Sequence, residues 1–239
     1  MMRNLIIFSL ILIFIGCSVQ KNTTTDLEKI GLVGNVKRQK FELERNHEEN
    51  ESEETYSLDN EYFFNQNGFI SEQRQYSSED LVRVYTYIYD DKNLLTSKIC
   101  FNQAGELMTK SKYENELNKK GKLIKQSEFI SIGNFSNDSI NIKYNPIPNY
   151  ITKYFYDSDW NLIKYEVYDK SLSASKEVLE LIDKTIIKSS YIMIKDNEIF
   201  NESSYSCLDY DLKKNCIRYK KKDGDSIETY LNSTIEYFE

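Results

Sequence analysis

Val82 to Leu95 reads VRVYTYIYDDKNLL: an alternating run, Val82-Arg83-Val84-Tyr85-Thr86-Tyr87-Ile88-Tyr89, opens directly into Asp90-Asp91-Lys92-Asn93-Leu94-Leu95. Successive side chains of a strand point to opposite faces, so Tyr85, Tyr87 and Tyr89 share one face. Tyr, Val, Ile and Thr are strand formers, and one face of the run is expected to be more buried than the other. The second half is a turn. Asp90 can hydrogen-bond its own following backbone, and Asn93 tolerates the positive φ of a tight reversal.

The same phrase of seven or eight residues recurs along the chain. It appears as FNQNGFI from Phe64, FNQAGEL from Phe101 and YDSDWNLI from Tyr156. Degenerate copies are NKKGKLI from Asn118, YDLKKNCI from Tyr210 and KKDGDSI from Lys221. Alternating runs flank them, such as ITKYFY before one turn and LIKYEVY after it. The sequence predicts an all-β fold: an antiparallel meander of β-hairpin repeats forming a curved sheet or open barrel-like sandwich. In FNQNGFI the positive-φ position is Gly68, and Asn161 is the expected counterpart in YDSDWNLI.

Three stretches break the rhythm. RNHEENESEE, Arg45 to Glu54, reads as a solvated acidic loop. SASKEVLELIDKTI carries a helix signal near 175–184, with Ser175 as cap and Val178, Ile182 and Ile186 at i, i+4, i+8. Asn145-Pro146-Ile147-Pro148 holds both prolines and reads as an irregular link between two hairpin sets.

The chain opens with Met1-Met2-Arg3-Asn4, an apolar run from Leu5 to Ile15, then Gly16-Cys17. Eleven residues are too few for a membrane-crossing helix, which needs roughly 20, and suit a secretory signal peptide. FIGC at Phe14–Cys17 resembles the lipobox of bacterial lipoprotein signal peptides. That resemblance implies cleavage after Gly16 and acylation of Cys17. It implies a lipid-anchored envelope protein, expected on the outer membrane and facing the periplasm, since the tether has no acid before Asp26. The expected organisation is a leader at 1–16, a tether at 17–30 and one hairpin-repeat domain at 31–239.

Tyr89-Asp90, Asn93-Leu94, Tyr156-Asp157 and Asn161-Leu162-Ile163 resemble the YD repeats of Rhs-type proteins, and more closely small lipoproteins with degenerate YD-like repeats. GLVGNVKRQKFE and the closing TIEYF resemble the first and last strands of such lipoproteins. The resemblance implies a fold but no activity, and the chain is too short for the toxin-enclosing role of large Rhs proteins.

The formal charge is −7, which argues against nucleic-acid binding and against electrostatic docking on anionic lipid. Beyond Cys17 the cysteines are Cys100, Cys207 and Cys216. The turn near Lys213 sets Cys207 opposite Arg218 or Tyr219, so small buried apolar cysteines are expected rather than a bridge.

Catalytic signals are sparse. The one histidine, His47, lies in the acidic loop, a poor setting for a triad. No zinc spacing, phosphate loop or dinucleotide fingerprint occurs, so no cofactor or metal is expected. Asp157, Asp159 and Asn161 imitate half a calcium loop, but Leu162 stands where glycine is needed and Tyr168 where the acid is. Asp223–Asp225 reads as a hairpin tip. The leading expectation is a non-catalytic protein-binding or structural module. The alternatives are a glycan-binding module using exposed Tyr and Trp160, and an enzyme with paired carboxylates. A concave Tyr-lined groove would favour the glycan, and a flat apolar patch a protein partner.

Overall fold

The computed structural model describes residues 25–30, 32–43, 58–77, 79–132, 142–159, 161–169, 174–182, 185–195, 198–223 and 227–239. His47, Gly16, Cys17 and Trp160 lie outside the described residues, as do the acidic loop and the tip of KKDGDSI.

One short helix, α1 (Asp26–Lys29), precedes β1 (Val36–Leu43), β2 (Leu58–Phe64), β3 (Ile70–Ser77), β4 (Asp80–Tyr89) and β5 (Leu95–Asn102). There follow β6 (Leu107–Leu117), β7 (Leu123–Ile132), β8 (Lys143–Tyr144), β9 (Tyr150–Tyr156) and β10 (Leu162–Asp169). The chain ends with β11 (Ala174–Ile182), β12 (Thr185–Lys195), β13 (Glu198–Tyr210), β14 (Cys216–Asp223) and β15 (Ile227–Tyr237). Every pairing is antiparallel, as the hairpin meander requires.

The order runs from β6 through β1 to β15 and back to β9 and β7, and β6 also pairs with β7. The ladder therefore returns on itself. Curvature carries through to a ring in which β1 meets β15, with Phe41 opposite Ser233. The short β8 pairs only with the end of β7. Between β8 and β9 the Pro-containing link is held by Asn149, whose N–H donates to Glu128 O and whose Oδ1 accepts from Ile130 N–H. A segment whose two prolines lack N–H groups can leave the ladder there without orphaning a donor.

The helix expected near 175–184 is a strand. Ala174–Ile182 pairs with both β10 and β12. The letters that place Val178 and Ile182 one helical turn apart also alternate, and two neighbouring strands satisfy the backbone on both sides.

The repeated phrase is one turn built repeatedly. Asp90 Oδ1 accepts from the N–H of Lys92 and of Leu94, and Asn93 N–H donates to Asp90 O. Asn65, Asn118 and Asp211 anchor the same bonds. The fourth residue takes positive φ: Gly68, Asn93, Gly105, Gly121 and Lys214. Asp157 caps its turn likewise, with its Oδ1 accepting from Asp159 and Asn161. Asn161 thus occupies the place of Phe69 and Leu94, one residue beyond the position of Gly68, which corrects the alignment expected from sequence.

Cys207 and Cys216 form a disulfide, contrary to expectation, with Cα atoms 5.8 Å apart. Cys207 does face Tyr219 in the register, but bulges at Cys207/Asp209 and Asp209/Tyr210 shift the strands and bring the two thiols together. Cys100 is free and buried, as expected.

Candidate functional site

Strand alternation divides the ring into two unlike faces. On the outer face of β1 to β3, Arg38 pairs with Glu61 and both Arg38 and Arg74 lie over the Phe63 ring. Farther round, Lys112 lies over Phe129 and Lys164 over Phe155, and Lys125 pairs with Glu116. Lys or Arg facing lipid at mid-bilayer would cost about 2–4 kcal/mol each. This wall is built for water.

The inner face carries phenols, amides and hydroxyls. Tyr85, Tyr87 and Tyr89 of β4 share one face, as their alternation predicts, and the structure makes it the inner one. Tyr87 O–H donates to Gln73 Oε1 at 2.7 Å and Tyr85 O–H to Gln75 Oε1 at 3.1 Å. Gln73 Nε2 in turn donates to Asn60 Oδ1. Across the ring Gln126 Nε2 donates to Asn115 Oδ1, and Tyr156 O–H donates to Leu123 O. Burial raises the phenols of Tyr62, Tyr87, Tyr89, Tyr113 and Tyr154, and pushes Tyr219 up to about 12. All stay neutral donors at ordinary pH. Interior charges meet partners: Lys98 lies 3.3 Å from Glu128, and Lys29 lies 2.9 Å from Asp26. The Gln39 side chain donates to Ser233 Oγ, but its buried Oε1 has no hydrogen-bond partner among the described residues.

One end of the interior is floored. Sequence reasoning assigned 17–30 to a tether, but Thr25–Ile30 folds against the ring as α1. The signal was present in Thr25-Asp26-Leu27-Glu28: Thr25 Oγ1 accepts from Glu28 N–H and Glu28 accepts from Thr25 N–H, a capping box. Leu27, Leu32, Val36 and Phe64 form a buried apolar cluster beneath, and Phe69, Leu94, Leu123 and Leu162 are buried just after their turns. We call this the basal end.

Above the floor, Asp26 accepts from Ile70 N–H and Tyr89 O–H, and Lys29 lies over the Tyr154 ring at 5.8 Å. Burial acts to raise the Asp26 carboxyl, but Lys29 and the bonds from Tyr89 and Ile70 outweigh it and hold it below the usual carboxylate range. Burial likewise opposes the Lys29 charge, and Asp26 outweighs it, so the ammonium is held more firmly than usual. These groups, with Tyr87 and Gln126, line a cavity of about 210 Å³. That is smaller than the usual 300–1,000 Å³ of drug-sized sites, and it continues the polar wall above.

The site residues expected from sequence, Trp160, Gly16 and Cys17, lie outside the described residues. The N–H groups of Asp159 and Asn161 occupy Asp157 Oδ1, so the calcium-like letters serve as a turn cap.

No protein-family model matches the chain, and no curated protein matches it. Among solved structures it is similar to a porin-like protein from Bacteroides uniformis ATCC 8492, with a TM-score of 0.32 and 11% identity. The match covers 90% of this chain and 99% of that one, and at this distance it bears on no argument about function.

Proposed function

We propose that this is a lipid-anchored, non-catalytic envelope module whose interior binds a neutral, hydroxyl-rich ligand such as an oligosaccharide. The observation that carries the reading is the division of the two faces. The outer wall carries charged residues stacked on aromatic rings, while phenols and amides line the concave inner wall, where the charges of Lys98 and Glu128 are paired. Sugars present C–H faces that lie on aromatic rings and hydroxyls that pair with amides. A protein partner, the leading expectation from sequence, would suit a flat apolar patch, and the described wall is charged and ion-paired instead.

The test is a glycan array probed with the full-length protein in detergent. A hit should be weakened about tenfold by Gln73→Ala or Tyr87→Phe, the loss of one hydrogen bond near 1.4 kcal/mol. Lys112→Ala on the outer wall should leave it unchanged. Equal effects of inner and outer substitutions would sink the proposal.

A further inference from the structure

Antiparallel alternation sends successive turns to opposite ends of the ring. Five of the repeated turns, those beginning at Asn65, Asp90, Asn118, Asp157 and Asp211, fall at the basal end beside α1, and the turn at Asn102 falls at the far end. The composition of the basal tips is distinctive. Their exposed positions carry Lys92, Lys119, Lys120, Lys213 and Lys214 against Asp91 and Asp159, with Lys213 lying over the Tyr237 ring, in a chain whose net charge is −7. The capping acids Asp90, Asp157 and Asp211 are turned onto backbone N–H groups.

Exposed apolar side chains stand at the same end, though Met108, Ile132, Ile147 and Tyr150 are exposed away from it. Leu212, at a tip, is fully exposed, and Val33, Ile30, Leu208, Tyr210, Leu117 and Ile163 are also exposed. Val33 and the Leu212 turn are joined: Asn215 accepts from Val33 N–H and donates to Val33 O. The apolar tip and its lysines therefore form one rim around the entering chain rather than scattered points.

From Cys17 to Thr25 is eight residues, which span at most roughly 28 Å. We propose that the basal rim docks end-on against the bilayer that carries the anchor, with Leu212 and its neighbours in the headgroup region and the lysines on anionic headgroups. Apolar side chains with flanking lysines are the composition of interfacial contacts. The overall acidic charge, read from sequence as opposing such docking, is overcome by where the lysines stand. The proposal rests on the anchored reading of Cys17, and the far end then faces away from the membrane.

The experiment uses the full-length acylated protein in vesicles of mostly phosphatidylethanolamine with a minority of phosphatidylglycerol, part of it brominated in the acyl chains. Trp160→Phe removes the one native tryptophan. Single probes are then placed by Leu212→Trp at the rim, Lys112→Trp on the wall and Glu106→Trp in the far turn. Flotation with the vesicles reads the anchor, and bromine quenching reads the docking. Quenching of the Leu212→Trp protein several-fold above both others is the expected result. If the floated protein shows no such excess, the rim stands clear of the bilayer and the proposal fails while the anchor stands. Strongest quenching at Lys112→Trp would mean the ring lies on its side, which also overturns it. Failure to float would remove the anchored reading and the docking with it.

Discussion

Tyr89 donates its phenolic hydrogen to Asp26 Oδ2 at 2.6 Å, tying the last residue of β4 to the helix that floors the ring. The bond joins a residue that strand alternation places on one face with Tyr85 and Tyr87 to one that sequence reasoning had left in the tether.

Asp26→Asn should lower the melting temperature at neutral pH. A hydrogen bond to a buried charge contributes about 1.5–3 kcal/mol, or several degrees for a chain of this size. The sign with pH follows from the lowered carboxyl. Stability from Asp26 is present above the unfolded pKa of about 3.9 and is lost as pH falls through the lower folded value. Melts from pH 7 down to pH 2 should show the gap between wild type and Asp26→Asn closing only below about pH 4. A gap that closes on raising the pH would contradict the assignment.

Gly68 and Gly105 share positive φ but not surroundings. A Cβ on Gly68 would sit 3.1 Å from Leu27 Cδ1, and one on Gly105 would meet nothing within 4 Å. Both alanine substitutions carry the left-handed penalty of about 1–2 kcal/mol. Gly68→Ala should cost more, because it also presses on α1, and Gln66→Ala should cost little. Equal melting shifts for the two glycines would mean α1 does not pack on this turn.

Reduction, or Cys207→Ser with Cys216→Ser, should destabilise the protein by about 2–3 kcal/mol, the entropy of closing a loop of roughly ten residues. Cys100 should resist maleimide labelling until the fold is melted, because it is buried. Prompt labelling of Cys100 in the native protein would count against the packing described.

Cys17→Ser should abolish acylation and leave the precursor unprocessed or soluble. Detergent phase partition of the two forms decides it: quantitative partition of the variant into detergent would remove the lipoprotein reading.

Much of the fold was legible because the turn chemistry is repeated. Asp or Asn followed three residues later by Gly or Asn is a local signal, and it located the hairpin reversals at Phe64, Tyr89 and Phe101. Where local letters are ambiguous, tertiary pairing decided: Val178 and Ile182 fit a helix until β10 and β12 claim the backbone between them. The disulfide escaped because a bulge leaves no mark in the sequence, and counting residues from Lys213 assumes a regular ladder. The interior site was half visible. The Tyr85-Tyr87-Tyr89 face could be read, but its partners Gln73, Gln75 and Gln126 come together only through the ring order, which no single hairpin reveals.

The pairing of β1 with β15 has a kinetic consequence. Val36 meets Tyr237 across nearly the whole described chain, so the ring is sealed by its latest-made strand. A chain halted before Ile227 would have its hairpins but two bare edges, each a template for joining another copy. Contacts this distant in sequence form slowly, and until β15 docks those edges stay open to neighbouring molecules. The final strand acts as a keystone, and premature termination should produce aggregates rather than a shortened, soluble barrel.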